Sequence, residues 1–268
     1  GIFVPIVTTL HGTDITLVGS HPFYKPAVAF SINKSDAVTA VSQSLKDDTL
    51  RLFDIKNEIS VVPNFIDLDK YSNHFKDCQR AMMAKDDERI ITHISNLRPV
   101  KRVKDVISVF YNIQKEIPAK LMLVGEGPER ENIELQCQKL GISDKVIFFG
   151  KSNEIDKILC FSDLFLLPSE TESFGLAALE AMAEHTPVIS SNTGGLAEVN
   201  VHGVTGFLSD VGDIDDMAKN AIYLLSNDSR LETFKQQAFD SAHQFSIENI
   251  LPKYESLYKR VIQKDVLL

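Results

Sequence analysis

Two acidic side chains bracket a short glycine-containing stretch in the middle of the chain, Glu172-Ser-Phe-Gly-Leu-Ala-Ala-Leu-Glu180, within the longer run LFLLPSETESFGLAALEAMAEHTPVISSNTGGLAEV over residues 164–199. A carboxylate accepts well from two neighbouring hydroxyls, so Glu180 suits a ribose diol and Glu172 a hexose. Leu164–Leu167 reads as a buried strand, and a helix is expected to open near Ser173–Gly175. The free N–H groups and aligned peptide dipoles of a helix start favour an anion. Gly175 lets a phosphate or a sugar approach the backbone, and Ser173, Phe174 and Gly175 are the candidate amide donors. The two acids stand eight positions apart, a little over two helical turns, so both are expected to face one elongated ligand. An exposed first turn with ordinary acidic residues would supply the same pair. The whole succession of strand, Glu, Ser-Phe-Gly, Glu, strand and Gly194-Gly195 favours the ligand site.

A second constellation is ISNLRPVKRVKDVI, where the strand Ile90–Ser95 is followed by Asn96, Arg98, Lys101 and Arg102 and then by a helical pattern. Cations at the carboxyl end of a strand, beside a helix start, suit a diphosphate. The alternative is a solvated basic helix start, which the helix dipole disfavours unless an anion is bound. Three further turns are less specific. Gly125 and Gly127 follow the strand ending at Val124 and serve either phosphate access or a tight turn. Gly150 and Lys151 follow another strand and offer backbone groups to a nucleobase edge, or simply turn the chain. His11, in TTLHGTD, follows the first strand and could donate to a sugar hydroxyl. Thr8, Thr9, Lys34, Ser42 and Asn64 stand at candidate strand ends and are further polar candidates. His93 lies inside a strand and reads as structural.

The elements that must position these residues alternate along the chain. Strands are expected at Ile6–Leu10, Ala37–Val41, Ile59–Val62, Ile90–Ser95, Lys120–Val124, Val146–Phe149, Leu164–Leu167 and Pro187–Ser190. Several are apolar on both faces, as buried parallel strands are. Helices are expected at Lys101–Ile117, Glu129–Leu140, Gly175–Glu184, Ile214–Leu225 and Leu231–His243. In the first of these Val103, Val106, Ile107, Phe110, Ile113 and Ile117 share one face. Strand-helix repetition of this kind builds an α/β fold of doubly wound, Rossmann-like parallel sheets. A polar stretch over residues 68–88 divides the pattern. Residues 1–68 are expected to form part of one domain and residues 69–245 a second. Residues 246–268 read as a final helix, with Ile250, Tyr254, Leu257, Tyr258 and Val261 on one face. Only three strands fall in the first segment, so that domain is expected to be incomplete and the chain alone inactive.

Composition narrows the class. The 268 residues carry 28 basic and 37 acidic side chains, a formal net charge of −9. That argues against a nucleic-acid binder, whose affinity rests on a basic surface, while a locally positive pocket stays possible. Cys78, Cys137 and Cys160 show no metal-ligand spacing and read as reduced thiols of a cytoplasmic protein. No apolar run approaches the roughly 20 residues that cross a bilayer, and Gly1–Pro5 lacks the features of a signal peptide. No Asp-x-Asp pair follows a suitable strand, so no metal and no cofactor beyond the nucleotide-sugar substrate is expected.

Taken together these stretches resemble the retaining GT-B glycosyltransferases of family four. The family's Glu, seven residues, Glu motif is matched by Glu172 and Glu180, and its cationic diphosphate loop by Asn96 to Lys101. Asn96 stands where many members have Arg, and Lys101 keeps the Lys. The family's Pro-Asn-Gly-Val-Asp junction reads Pro63-Asn64-Phe65-Ile66-Asp67, with Phe in place of Gly. TTLHGTD, FSINKSDAVTAVSQSL, VVPNFID and SNLRPVKR are similar to the branch that glycosylates L-malate at the start of bacillithiol biosynthesis. The resemblance implies UDP-N-acetylglucosamine as donor and L-malate as acceptor, the first domain taking the acceptor, the second the nucleotide-sugar, and the final helix returning to the first. It also implies retention at the anomeric carbon, with Lys101, Glu172 and His11 in the catalytic set. Asn96, Arg98, Gly125, Gly150, Lys151, Ser173, Phe174, Gly175 and Glu180 would hold the donor, and Thr9 and Asn64 the acceptor. Two other readings fit the same residues: a family-four enzyme building a surface or lipid-linked glycan, and a non-catalytic nucleotide-sugar binding module. Partners are thus expected to be small molecules, with neither nucleic acid nor membrane, and a homo-oligomer is possible.

Overall fold

The computed structural model of the chain describes residues 4–13, 15, 16, 19, 21–71 and 80–266. Cys78 lies outside them. The chain divides into two units: Gly1–Ile66 with Glu172–Phe174 and Phe245–Leu268, and Asp67–Thr171 with Gly175–Gln244. Residues 172–174, which the sequence reading includes in the span 69–245, cluster with the first unit instead.

In the first unit, β1 (Val7–Leu10), β2 (Ala37–Ala40) and β3 (Ile59–Val61) form a parallel sheet in that order. Val7 lies opposite Ala37 and Val38 opposite Ile59. The strands are linked by α1 (Lys25–Lys34) and α2 (Gln43–Leu52). The Ser42 hydroxyl caps α2 by accepting from the Leu45 amide at 3.1 Å, which satisfies one of the N–H groups a helix start leaves unpaired. The last helix, α10 (Ile247–Val266), is tied in by backbone. Ile66 N–H donates to Phe245 O at 2.9 Å and Ile247 N–H to Ile66 O at 3.0 Å. Ile250, Leu257 and Val261 are buried, whereas Tyr258 is exposed; the buried face is narrower than the expected five-residue stripe.

The second unit holds six parallel strands in the order β6-β5-β4-β7-β8-β9: β4 (Arg89–Ile94), β5 (Ala119–Val124), β6 (Val146–Gly150), β7 (Leu164–Leu167), β8 (Val188–Ser191) and β9 (Gly206–Ser209). Counted within the unit this is the order 3-2-1-4-5-6, so connections leave β4 and β7 toward opposite sides. Ligands bind at the carboxyl ends of strands at such a switch point. Helix α3 (Val103–Glu116) buries the apolar stripe expected from sequence, with Val103, Val106, Ile107, Phe110 and Ile113 each at most 1% exposed. α4 (Arg130–Leu140), α5 (Ile155–Leu159), α6 (Leu176–Ala183), α7 (Leu196–Val199), α8 (Ile214–Leu225) and α9 (Asp228–Ala242) complete the covering layers. α9 starts earlier than its apolar pattern implies because Asn227 caps it, its side chain accepting from Arg230 N–H at 2.8 Å. β9, α5 and α7 are only four or five residues long and carry no readable period, so sequence does not announce them. α1 and α2 are also absent from the sequence expectation. Asp163, at the start of β7, is a buried anchor: it accepts from the Ile90 amide at 2.9 Å and pairs with Arg80 at 2.8 Å and Lys235 at 3.2 Å.

One buried group has no such compensation. Glu184, at the end of α6, is 3% exposed, and both carboxyl oxygens are buried without a hydrogen-bond partner. Burial, reinforced by the neighbouring Asp156 charge, pushes its pKa up to about 8 from an ordinary 4.5. The folded protein therefore keeps this proton while the unfolded chain has lost it. Stability is fully present below the unfolded value of about 4.5 and declines as pH rises towards 8. Glu184→Gln is expected to match the parent near pH 5 and to exceed it at pH 8 by roughly 1–3 kcal/mol, read as the pH dependence of urea unfolding. Parallel curves for the two proteins across this range would refute the assignment.

Candidate functional site

The second unit holds Asn96, Arg98, Lys101, Gly125, Gly150, Lys151 and Gly175 at strand ends, loops and helix starts, and Glu180 inside α6. The loop after β4 is held by its one apolar member. Leu97 is fully buried and takes a φ of +40°, while Asn96 and Arg98 are exposed and Lys101 is partly exposed. A turn over Pro99–Lys101 closes with Lys101 N–H donating to Arg98 O at 2.9 Å, and Arg102 starts α3 at φ +48°. Val100 O accepts from Glu170 N–H at 2.8 Å, and Glu170 O accepts from the Thr193 hydroxyl at 3.1 Å. The loops after β4, β7 and β8 are thereby tied into one rim at the switch point. Arg98 and Lys101 stand on this braced loop, and paired cations of that kind are chemically suited to an anion.

Gly125 answers the question its sequence context left open. Its φ is +118°, and a Cβ there would lie 1.8 Å from Ser95 O. Its own amide donates to Gly150 O at 2.7 Å. That N–H is committed to the backbone, so the position is required for the close approach of two loops and does not present its amide to a phosphate. Gly150 and Lys151 sit at the end of β6, where the backbone turns at φ +67°.

Gly175 caps the start of α6 at φ +96°, and a Cβ there would lie 2.6 Å from a Leu196 methyl group. The helix begins at Leu176, so Glu172 precedes it by several residues. Glu172 thus stands before the helix and Glu180 inside it, as the sequence reading has them, with the left-handed Gly175 as the N-cap between them. Glu180 is half-buried within α6. Burial raises its pKa, and the Lys70 charge and a hydrogen bond donated by the Tyr71 phenol pull it back toward the ionised form. Tyr71 is 4% exposed, and its phenol is pushed up first by burial and then by the Glu180 charge, which keeps it a donor. Sequence reading missed Lys70 and Tyr71 because they fall in the polar stretch taken as a junction.

The remaining candidates lie in the first unit. Ser42 donates to Ser173 O at 2.7 Å, and Gly12 packs so closely that a Cβ there would lie 2.5 Å from the Ser173 Cβ. Phe174 is buried edge-on against Phe245, with ring centroids 5.6 Å apart. Glu172, Ser173 and Phe174 are thus anchored by α2, the His11–Gly12 turn and the residues before α10. His11 is exposed, and Asn64 is partly exposed. Thr9 accepts from the Thr39 hydroxyl at 2.9 Å across β1 and β2, a contact that serves the sheet.

Residues 76–241 match the family model described as glycosyl transferases group 1, and residues 3–70 match that of glycosyltransferase family 4. The chain belongs to the group 1 glycosyl transferases. Among its relatives in this family, the N-acetyl-alpha-D-glucosaminyl L-malate synthase of Bacillus anthracis is 44% identical over 264 residues, which cover 98% of this chain and 69% of the relative. The 2-deoxystreptamine N-acetyl-D-glucosaminyltransferase of Niallia circulans is 27% identical, over 95% and 69% of the two chains. The crystal structure of Anabaena HepE in complex with UDP shares the fold at a TM-score of 0.85 and 23% identity, over 96% of this chain and 72% of that one. The fold of this group 1 glycosyl transferase is accordingly GT-B. Among the described residues no helix is long and apolar enough to cross a membrane.

The frame of the rim is testable without substrate. Gly125→Ala forces a side chain onto a carbonyl at a left-handed backbone, and is expected to lose roughly 2–5 kcal/mol of stability in denaturant unfolding. A loss below 1 kcal/mol would mean that the two loops are not locked together at this point.

Proposed function

We propose that this protein transfers N-acetylglucosamine from UDP-N-acetylglucosamine to L-malate, with retention at the anomeric carbon. The 44% identical Bacillus anthracis relative, an N-acetyl-alpha-D-glucosaminyl L-malate synthase, supports the sugar and the acceptor. The observation that supports the donor assignment is that the cationic loop after β4 and α6, the helix after β7 that carries the half-buried Glu180, belong to one unit and follow the two strands of the switch point. Lys101, with Arg98 beside it, is suited to the charge that builds on a departing diphosphate. Glu180 is kept competent as an acceptor of ribose hydroxyls by the Lys70 charge and the Tyr71 hydrogen bond. The chemistry is then mainly positioning and charge stabilisation: the β-phosphate leaves and, on the same face of the sugar, takes the proton of the incoming malate hydroxyl. His11 and Glu172 are further proposed contributors, as their motif positions imply.

Removing a pre-organised cation from developing negative charge costs about 3–4 kcal/mol. Lys101→Ala is therefore expected to lower kcat of the intact protein by two or more orders of magnitude, and near-normal turnover would remove this role. Glu180→Ala is expected to weaken UDP binding in calorimetry while leaving the fold intact; an unchanged Kd would reject the ribose assignment. The acceptor is tested by release of UDP from UDP-N-acetylglucosamine. Release that depends on L-malate and yields a malate glycoside supports the proposal. Release only with a glycan or lipid acceptor favours another family-four activity, and binding with no acceptor-dependent release makes the protein a binding module.

A further inference from the structure

His93 is fully buried within β4, and its imidazole makes two short contacts: Nδ1 lies 2.8 Å from Leu166 O, and Nε2 lies 2.8 Å from the Ser95 hydroxyl. These contacts determine the proton positions. A carbonyl oxygen only accepts, so Nδ1 carries the hydrogen and donates to Leu166. In the neutral ring Nε2 is then an acceptor, and the Ser95 hydroxyl must donate to it. The Ser95 oxygen has a lone pair left, and it accepts from Leu97 N–H at 3.2 Å. The chain of bonds therefore runs in one direction, from the Leu97 amide through Ser95 and His93 to β7. It sits where β4 and β7 part, just past the register pairs Ile91–Leu164 and Thr92–Phe165. Its far end is Leu97, the residue whose left-handed backbone turns the chain into Arg98 and Lys101.

We propose that His93 is a positioning residue for the diphosphate loop: as a neutral Nδ1–H tautomer it orients the Ser95 hydroxyl, which holds the Leu97 amide and so sets the direction in which residues 98–101 present their cations. This rests on the reading that the loop serves a diphosphate. The opposite side of the loop is already immobilised, because Gly125 and Gly127 pack without side chains against Ser95 O and Asn96 O. The His93 relay supplies the remaining constraint from the side of β7. Burial, opposed by the hydrogen bond to Leu166 O and aided by the nearby Lys101 charge, lowers the His93 pKa to about 4, so the ring stays neutral at physiological pH. A protonated ring would present a hydrogen at Nε2 and could no longer accept from Ser95.

The test uses Ser95 variants of the chain, because His93 substitutions risk the fold. Ser95→Ala removes both bonds of the relay at the loop end, and Ser95→Thr keeps the hydroxyl. Ser95→Ala is expected to bind UDP about tenfold more weakly and uridine, followed by saturation-transfer NMR, within about twofold. Ser95→Thr is expected to restore UDP affinity. Long-range proton–nitrogen NMR should find His93 protonated at Nδ1 and not titrating down to pH 5.5. A hydrogen on Nε2, or equal losses for UDP and uridine, overturns the proposal, since general damage to the unit would weaken both ligands. If Ser95→Ala binds UDP normally while Lys101→Ala does not, the relay is refuted and the site assignment stands. If Lys101→Ala also binds UDP normally, the diphosphate reading fails and takes the relay's role with it.

Discussion

The structure of the second unit depends on the divergence of two adjacent parallel strands. β4 and β7 pair side by side, yet their following chains leave on opposite faces of the sheet. Backbone polar groups at that opening lose the partners that a continued ladder would provide, and buried ones must be satisfied in another way. Here the satisfaction comes from loop-to-loop bonds, Val100 O with Glu170 N–H and Glu170 O with Thr193, and from the His93 side chain inside the gap. The features of the candidate site follow from this. The loop that carries Arg98 and Lys101 is held in a frame of loop-to-loop bonds because the sheet had to close its own opening.

Electrostatics divides the acidic side chains of α6 by surroundings rather than by type. Glu180 has a cationic neighbour and a phenolic donor; Glu184, one turn further, has only burial and another acid. The first has partners that favour its ionised form, and the second is pushed by its surroundings toward the neutral acid. The net negative charge of the whole chain therefore says little about the local potential at the rim, where Arg98 and Lys101 lie within four positions of each other.

Much of the sheet was legible in the sequence. Runs such as Lys120–Val124 and Leu164–Leu167 are apolar on both faces, which only a doubly covered parallel strand requires, and the α3 stripe shows its period plainly. Short elements were not legible: β9 and α7 have four residues each, fewer than one readable repeat. The site was half legible. Asn96, Arg98 and Lys101 are polar residues between a strand end and a helix start, Glu180 lies in the helix after the next switch-point strand, and their types announce a possible ligand. The helix start beside Gly175 was legible too, but not the clustering of Glu172–Phe174 with the first unit, which long-range packing decides. Tyr71 and Ser95 escaped notice because their roles come from what the fold places beside them. His93 was read only as a structural core residue, and its geometry gives that reading a specific content.

The glycines of the rim differ in what crowds them, and this constrains how the family can drift. At Gly175 the obstacle is a Leu196 methyl, the end of a flexible side chain, so a smaller residue at 196 could compensate the clash, although not the left-handed backbone. At Gly125 the obstacle is the Ser95 carbonyl, which belongs to every amino acid. No second substitution can remove a backbone oxygen. Position 125 is therefore closed to gradual exchange in any descendant that keeps these two loops in contact, whatever sugar or acceptor it comes to use.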